Sequence, residues 1–371
     1  MACMSSDYGY INARIRAMKS RLFDRRLYNE LLAKPNLDEL LASLAQTGYR
    51  EGIEAALARY GNWEALRDGL RRDLTASLCR IRSMVVDEPA SEAARLLRIL
   101  LARWDRRNLL TILRMQIQGP VAVAELDLLV PAGDLDETDL AELVRQPDLR
   151  AMIDLAATWQ LPYASGLRRA LPQMLETGNP AVLEVALDQQ YATLLQENLG
   201  QLRLSESVRL VRKVLGWELD QLNLLSALRL RQAWLRGEIR DQDRQADSDG
   251  LGAWYLTGGA FSERFLRSLI TMPEADQVHS ALAEMPDAGP WRPAVEAWVA
   301  HGTLTMLQRA LEERLTTMAI ALFRHDPLTI APVIGYIWAK ENEVRNLRLI
   351  GIGMARGLPR AQIAAELYIP W

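Results

Sequence analysis

The 371-residue sequence predicts an all-α protein of three homologous helical lobes, and three observations carry that prediction. First, the phrase DRRNLLTILR (105–114) has a near twin, DQLNLLSALR (220–229), and a looser third copy, EVRNLRLI (343–350), which aligns Asn108, Asn223 and Asn346. Second, another phrase lies upstream of each: FDRRLYNELLAKP (23–35), LDETDLAELVRQP (135–147) and FSERFLRSLITMP (261–273). The separation of the two phrases is nearly constant, at 77 residues from Leu31 to Asn108, 80 from Leu143 to Asn223 and 77 from Leu269 to Asn346. Chance does not preserve such a spacing, so the chain reads as three divergent copies of one unit. Third, Leu, Ala, Arg and Glu are abundant while Val is sparse and Phe numbers only 4, a composition that leans to helix.

Within a copy, each upstream phrase reads as a helix with a start signal. Asp136 and Ser262 are expected N-caps, each following a glycine at a loop end, Gly133 and Gly259. Copy one departs, with Arg21 in the glycine position. The proline that closes each phrase, Pro35, Pro147 or Pro273, is expected to open the next helix. In the downstream phrase, Leu109, Ile112 and Leu113, and likewise Leu222, Leu225 and Leu228, recur at helical intervals that place them on one face. No β-hairpin signal stands out, and 126–133 and 253–259 read as loops. The chain finishes with GLPRAQIAAEL (357–367), which resembles the opening of a fourth copy. The expected lobes are 1–119, 120–247 and 248–371, the last with this partial repeat, and about 120 residues suffice for a core in each.

Composition excludes several function classes. A formal net charge of −3 argues against general nucleic-acid binding. Cys3 and Cys79 are the only cysteines, so neither a disulfide framework nor a cysteine-built zinc site is written here. The first residues lack the apolar segment of a secretory signal, and no run of about 18 apolar residues occurs, so the chain is expected not to span a membrane.

The search for chemistry finds no candidate catalytic, cofactor-binding or metal-ligating residue. None of the four lysines (Lys19, Lys34, Lys213, Lys340) follows a glycine, which excludes a phosphate-binding P-loop. His279, His301 and His325 are solitary and read as capping or surface residues. DQDRQADSDG (241–250) alternates acids as a calcium loop does, but Ala246 and Gly252 stand where that loop needs Gly and Glu, so a solvated loop is the better reading. DLDETD (134–139) reads as an acidic helix start rather than a magnesium–diphosphate motif. Arg14, Arg16, Lys19, Arg21, Arg25 and Arg26 form the strongest charge cluster, either a solvated face or a contact for an acidic partner. Trp104, Trp217 and Trp338 each precede the repeated phrase and read mainly as packing anchors.

Two end segments carry a resemblance. YGYINARIRAMKSRLF (8–23) and DPLTIAPVIGYIWAKENEVRNLRLIGIGMARGLPRAQIAAEL (326–367) resemble the N- and C-terminal signatures of the C subunit family of prokaryotic V-type (A-type) ATPases, the relatives of the eukaryotic d subunit. The resemblance spans essentially the whole chain. It implies three helical lobes in a pseudo-threefold, funnel-like arrangement, without catalytic residues or cofactor. It further implies a place on the central stalk, between a shaft of subunits D and F and the membrane ring of proteolipid subunits, at the cytoplasmic face and touching the membrane only through that ring. Candidate contacts are Tyr8, Tyr10 and Arg14 at the N-terminal segment and Glu341 and Arg345 near the third phrase; the last two also have the i, i+4 spacing of an ordinary surface salt bridge. A generic helical scaffold or adaptor would share the repeats and the lack of a site, and only the end segments favour the stalk subunit.

Overall fold

The computed structural model describes residues 8–85, 89–119, 123–237, 254–284, 289, 291–301 and 303–370, with backbone alone for 123–125 and 301. Among them the chain forms seventeen α-helices and two short 3-10 segments, and no strand. Cys3 and the acidic stretch 241–250 lie outside the described residues. The contacts divide the chain into two compact units, 1–149 with 319–371, and 150–318.

The first unit opens with α1 (Tyr8–Lys19), whose Tyr8, Ile11, Asn12, Ile15 and Met18 are buried while Tyr10, Ala13, Arg14 and Arg16 face out. The upstream phrase of copy one forms α2 (Arg25–Leu32), capped by Asp24, whose carboxylate accepts from the Leu27 N–H. Helices α3 (Leu37–Leu44) and α4 (Arg50–Leu57) follow, then the long α5 (Asn62–Ser83). Gly52 and Gly69 let α4 lie directly on α5: a Cβ on Gly52 would stand 2.6 Å from the Gly69 carbonyl oxygen. The first repeated phrase lies in α6 (Glu92–Gln118), and after a 3-10 turn (Val123–Leu128) the upstream phrase of copy two forms α7 (Glu137–Val144). Asp136 caps α7 as expected, in a reciprocal box with Asp139.

The second unit holds α8 (Leu149–Thr158) from its second residue, then α9 (Ala164–Thr177), α10 (Ala181–Gly200) and α11 (Glu206–Leu235), which carries the second phrase. The upstream phrase of copy three forms α12 (Glu263–Ile270), capped by Ser262, and α13 (Ala275–Glu284), α14 (Arg292–His301) and α15 (Leu304–Ala321), the last as far as Met318, complete the series. Each phrase-closing proline stands two residues before its helix, Pro35 before Leu37, Pro147 before Leu149 and Pro273 before Ala275, rather than at the expected first helical position. In copy one the intervening residue, Asn36, takes the N-cap role instead.

The chain then returns to the first unit. A 3-10 turn (Leu322–Arg324) leads into α16 (Ala331–Ala355), which carries the third phrase, and α17 (Arg360–Glu366) follows. Eighteen of the 25 residues of α16 are buried, which makes it the central helix of this unit. Helices α1 and α5 pack on it, and α17 packs against both α16 and α2. The two end segments therefore meet: the Asn12 side-chain amide donates to the carbonyls of Pro327 (2.5 Å) and Thr329 (2.8 Å), just before α16.

Candidate partner interface

What the repeated phrase does is visible in its hydrogen bonds. Asn108 accepts from the Val130 N–H at 2.9 Å and donates to the Val130 carbonyl at 2.8 Å, so its amide pairs with one extended peptide as a neighbouring strand would. Asn223 does the same with Leu256, both bonds at 2.8 Å, and Asn346 with Tyr368, at 2.8 and 3.2 Å. Three residues before each asparagine stands an acid. Asp105 accepts from the N–H groups of Asp134 and Leu135, and Asp220 from those of Ala260 and Phe261. Glu343 accepts from the Phe23 N–H at 2.5 Å. Leu135, Phe261 and Phe23 each immediately precede the N-cap of α7, α12 or α2, so the acid holds the entry of the next copy's short helix, and the last copy holds the first.

The far end of that helix is held too. The Gln116 amide donates to the carbonyls of Val144 and Gln146 at the end of α7, and the Arg231 guanidinium donates to those of Met272 and Pro273 beyond α12. Asp105 to Leu135 and Gln116 to Gln146 are both offsets of 30 residues, while Asp220 to Phe261 and Arg231 to Met272 are both 41. The phrase helix and the short helix thus run parallel and in register. A negative group at the helix entry and, in copy two, a positive one at its exit also suit the helix dipole.

The departures of copies one and three share one cause. A Cβ on Gly133 would lie 2.2 Å from an Asp105 carboxylate oxygen, and one on Gly259 would lie 2.1 Å from Asp220, so these glycines make room for the acid. In the third clasp Glu343, longer by one methylene, brings a single oxygen to Phe23 and turns the other to the Tyr49 hydroxyl (2.7 Å) and the Lys340 ammonium (2.9 Å). Arg21 stands where the other copies have glycine, and this clasp uses a glutamate. Lys340 also donates to the Tyr49 hydroxyl at 2.8 Å and lies 2.8 Å from Asp73. Burial opposes the charge on Lys340, but Glu343 and Asp73 outweigh it and hold the ammonium protonated well above the ordinary lysine range. Burial likewise raises the Asp73 carboxyl, and Lys340 offsets part of that. Burial raises Asp105 to about 6 despite its two backbone donors. The fourth-copy glycine, Gly357, serves another end, since its φ of +66° makes it a left-handed helix terminator.

The five nominated residues fall into two groups. Tyr8 is buried and donates to Glu92 at 3.2 Å, while Tyr10 is 56% exposed with Arg14 alongside, whose guanidinium donates to the Tyr10 hydroxyl at 2.7 Å. Glu341 pairs with Arg107 (3.2 Å) and Arg103 (3.4 Å) of α6, linking the first and third phrases, and Arg345 is half-buried one turn further on. The basic first helix is open to solvent at Arg14 and Arg16, and Lys19 lies 3.9 Å from the Phe323 ring centre. Trp104 and Trp338 are buried and Trp217 is half-buried. His325 is exposed, His279 stands 3.7 Å from Glu296, and the His301 side chain lies outside the described residues. Among the described residues no three His, Cys, Asp or Glu side chains are placed to hold a metal ion, and no helix is long and apolar enough to cross a membrane.

Sequence reasoning missed Gln116, Arg231, Lys340 and Asp73. The first two carried a signal, since both follow the repeated acid by eleven residues. Lys340 and Asp73 meet only through packing of α16 on α5, and no spacing announces them.

Comparison with known proteins agrees with the end segments. The family model described as ATP synthase (C/AC39) subunit matches residues 11–366. The chain is 27% identical to the C subunit of the A-type ATP synthase of Methanosarcina mazei, over 98% of this chain and 94% of that protein. It is 26% identical to that of Haloquadratum walsbyi over 99% of both. For Methanocaldococcus jannaschii the identity is 25%, over 97% of this chain and 86% of that protein. By this near-complete match the chain belongs to the ATP synthase (C/AC39) subunit family, non-catalytic subunits of rotary ATPases.

Proposed function

We propose that this chain is the central-stalk coupler of its rotary ATPase, joining a shaft of subunits D and F to the membrane proteolipid ring at the cytoplasmic face. It has three related lobes, and it passes torque between ATP chemistry and ion movement without performing either. The observation that supports this reading is the repeated clasp. Each phrase helix grips the entry of the next short helix through a buried acid, and the last copy grips the first. Densely packed, cross-tied helices deform little under load. A coupler needs that stiffness and two partner faces, and it needs no reacting groups. Of the five nominated contacts, Tyr10 and Arg14 are exposed and Arg345 is half-buried, while Tyr8 is buried on Glu92 and Glu341 is engaged by Arg103 and Arg107. The test is binding of the purified protein to two baits, the isolated D–F shaft and the detergent-solubilised ring. One complex containing all three supports the proposal; binding to neither bait removes it.

A further inference from the structure

The third phrase differs from the others at one position that its clasp does not explain. Leu110 and Leu225 occupy it in the first two copies, and Arg348 in the third. Before its last two residues, Met354 and Ala355, helix α16 is buried all round except along one line, at Glu341, Arg345, Arg348, Leu349 and Ile352, spaced by helical turns. The corresponding line is open on the other phrase helices, at Arg107, Thr111 and Arg114 on α6 and at Leu222, Ser226 and Arg229 on α11. Glu341, the acid on the α16 line, is engaged by Arg103 and Arg107.

Beside Arg348 stands Arg67 of α5. Each is only half-exposed, each has its Nε buried without a hydrogen-bond partner, and among the described residues neither makes an ion pair. Arg71, one turn along α5 from Arg67, differs in having an acid in direct contact, Asp68 at 2.8 Å. Burial pushes Arg348 below the ordinary arginine range, and Arg67 and Arg71 add repulsion, with no acid acting in the other direction. A half-buried guanidinium without a counter-charge is costly, and leucine, as the other copies show, fits the same repeat position at no such cost. A guanidinium fork matches the geometry of a carboxylate, and two neighbouring ones without counter-charge favour an anion between them.

We propose that Arg67 and Arg348 form an anion-binding site on the open line of α16 that receives an acidic side chain of the D–F shaft. The proposal rests on the central-stalk reading and names the shaft-facing residues within it. Charge complementarity selects an acidic occupant, because Glu341, the acid of the line, is engaged by Arg103 and Arg107 and neither Arg67 nor Arg348 makes an ion pair among the described residues; the central-stalk reading supplies the shaft as its source.

The experiment measures the affinity of the full-length protein for the isolated D–F shaft at low and high salt, and for the detergent-solubilised ring in parallel. It compares wild type with Arg348→Leu, Arg67→Gln, and Arg169→Gln, an exposed arginine of α9, as control. Arg348→Leu and Arg67→Gln should each weaken binding at least tenfold at low salt and flatten its salt dependence, while Arg169→Gln changes neither. Because leucine occupies the position in the sister copies, Arg348→Leu should melt no lower than wild type, which separates lost contact from lost fold. Wild-type affinity in both variants, or an equal loss in the control, overturns the site while the central-stalk reading stands. Loss of ring binding instead of shaft binding overturns the assignment to the shaft. Failure of the wild type to bind the shaft at all removes the central-stalk reading and the site with it.

Discussion

At the scale of single residues, the clasp shows how a repeat can be legible while its purpose is not. Spacing exposes Asp105, Asn108 and their counterparts, because identical residues at fixed intervals leave a trace in any sequence. Spacing does not reveal that the acid reaches across to the next helix entry, since that contact spans 30 residues in copy one and 41 in copy two. Gly133 illustrates the same limit: read as a loop glycine, it is needed for the room it leaves Asp105. Asp105 also yields a prediction with a definite sign. Burial raises its folded pKa from 3.8 to about 6, so between those values the folded state binds more protons than the unfolded state. Stability from this group is therefore greatest at low pH and falls as pH rises through that window. The difference amounts to about 3 kcal/mol, at about 1.4 kcal/mol per pH unit. Asp105→Asn removes the titration, so urea unfolding at pH 4 and pH 7 should show the wild type losing about that much relative to the variant. A difference between the two proteins that is flat, or that grows with pH, would sink the assignment.

At the scale of elements, the starts of two short helices were readable from the caps Asp136 and Ser262, whereas the pairing of helices was not. The reason is physical: an N-cap is satisfied within one turn, but α6 and α7 become parallel neighbours only through groups eleven residues apart on each. Two parallel helices also need a connection as long as a helix, which hides their adjacency from any local pattern. The pinning at both ends makes each short helix a dependent of the phrase helix beside it. Arg231→Met tests this in copy two, using the residue that Met354 supplies at the equivalent place in copy three. The substitution leaves the carbonyls of Met272 and Pro273 without their donor, a cost of about 1–3 kcal/mol. Hydrogen exchange should then quicken by about 5- to 150-fold at the C-terminal turn of α12, with α2 and α7 unchanged. Uniform acceleration across all three short helices would show that the guanidinium supports the unit generally rather than this helix end.

At the scale of the whole chain, the repeats are tied in a cycle that the sequence order conceals. Copy one clasps copy two and copy two clasps copy three, while the third clasp joins residues 320 positions apart, from Glu343 to Phe23. That closing clasp is the most heavily built, with Lys340, Asp73 and Tyr49 gathered around the glutamate. The arrangement separates two ideas about buried charge. As an assembled set, the ions gain little over a well-packed apolar core, because desolvation offsets most of their attraction. Broken singly, they are expensive. Lys340→Met leaves Glu343, which is 0% exposed, and Asp73 without their cation, and the expected loss is about 3–5 kcal/mol in urea unfolding. Adding Glu343→Gln and Asp73→Asn to the same chain removes the stranded charges and should recover more than half of that loss, even though three native groups are then missing. A triple variant less stable than Lys340→Met alone would mean that the cluster supplies net stability. Recovery would instead mark it as a device for register, one that makes any pairing of the last copy with a wrong helix entry costly. Its position favours that second role, since the clasp between the chain's two ends is the one that local sequence cannot guide.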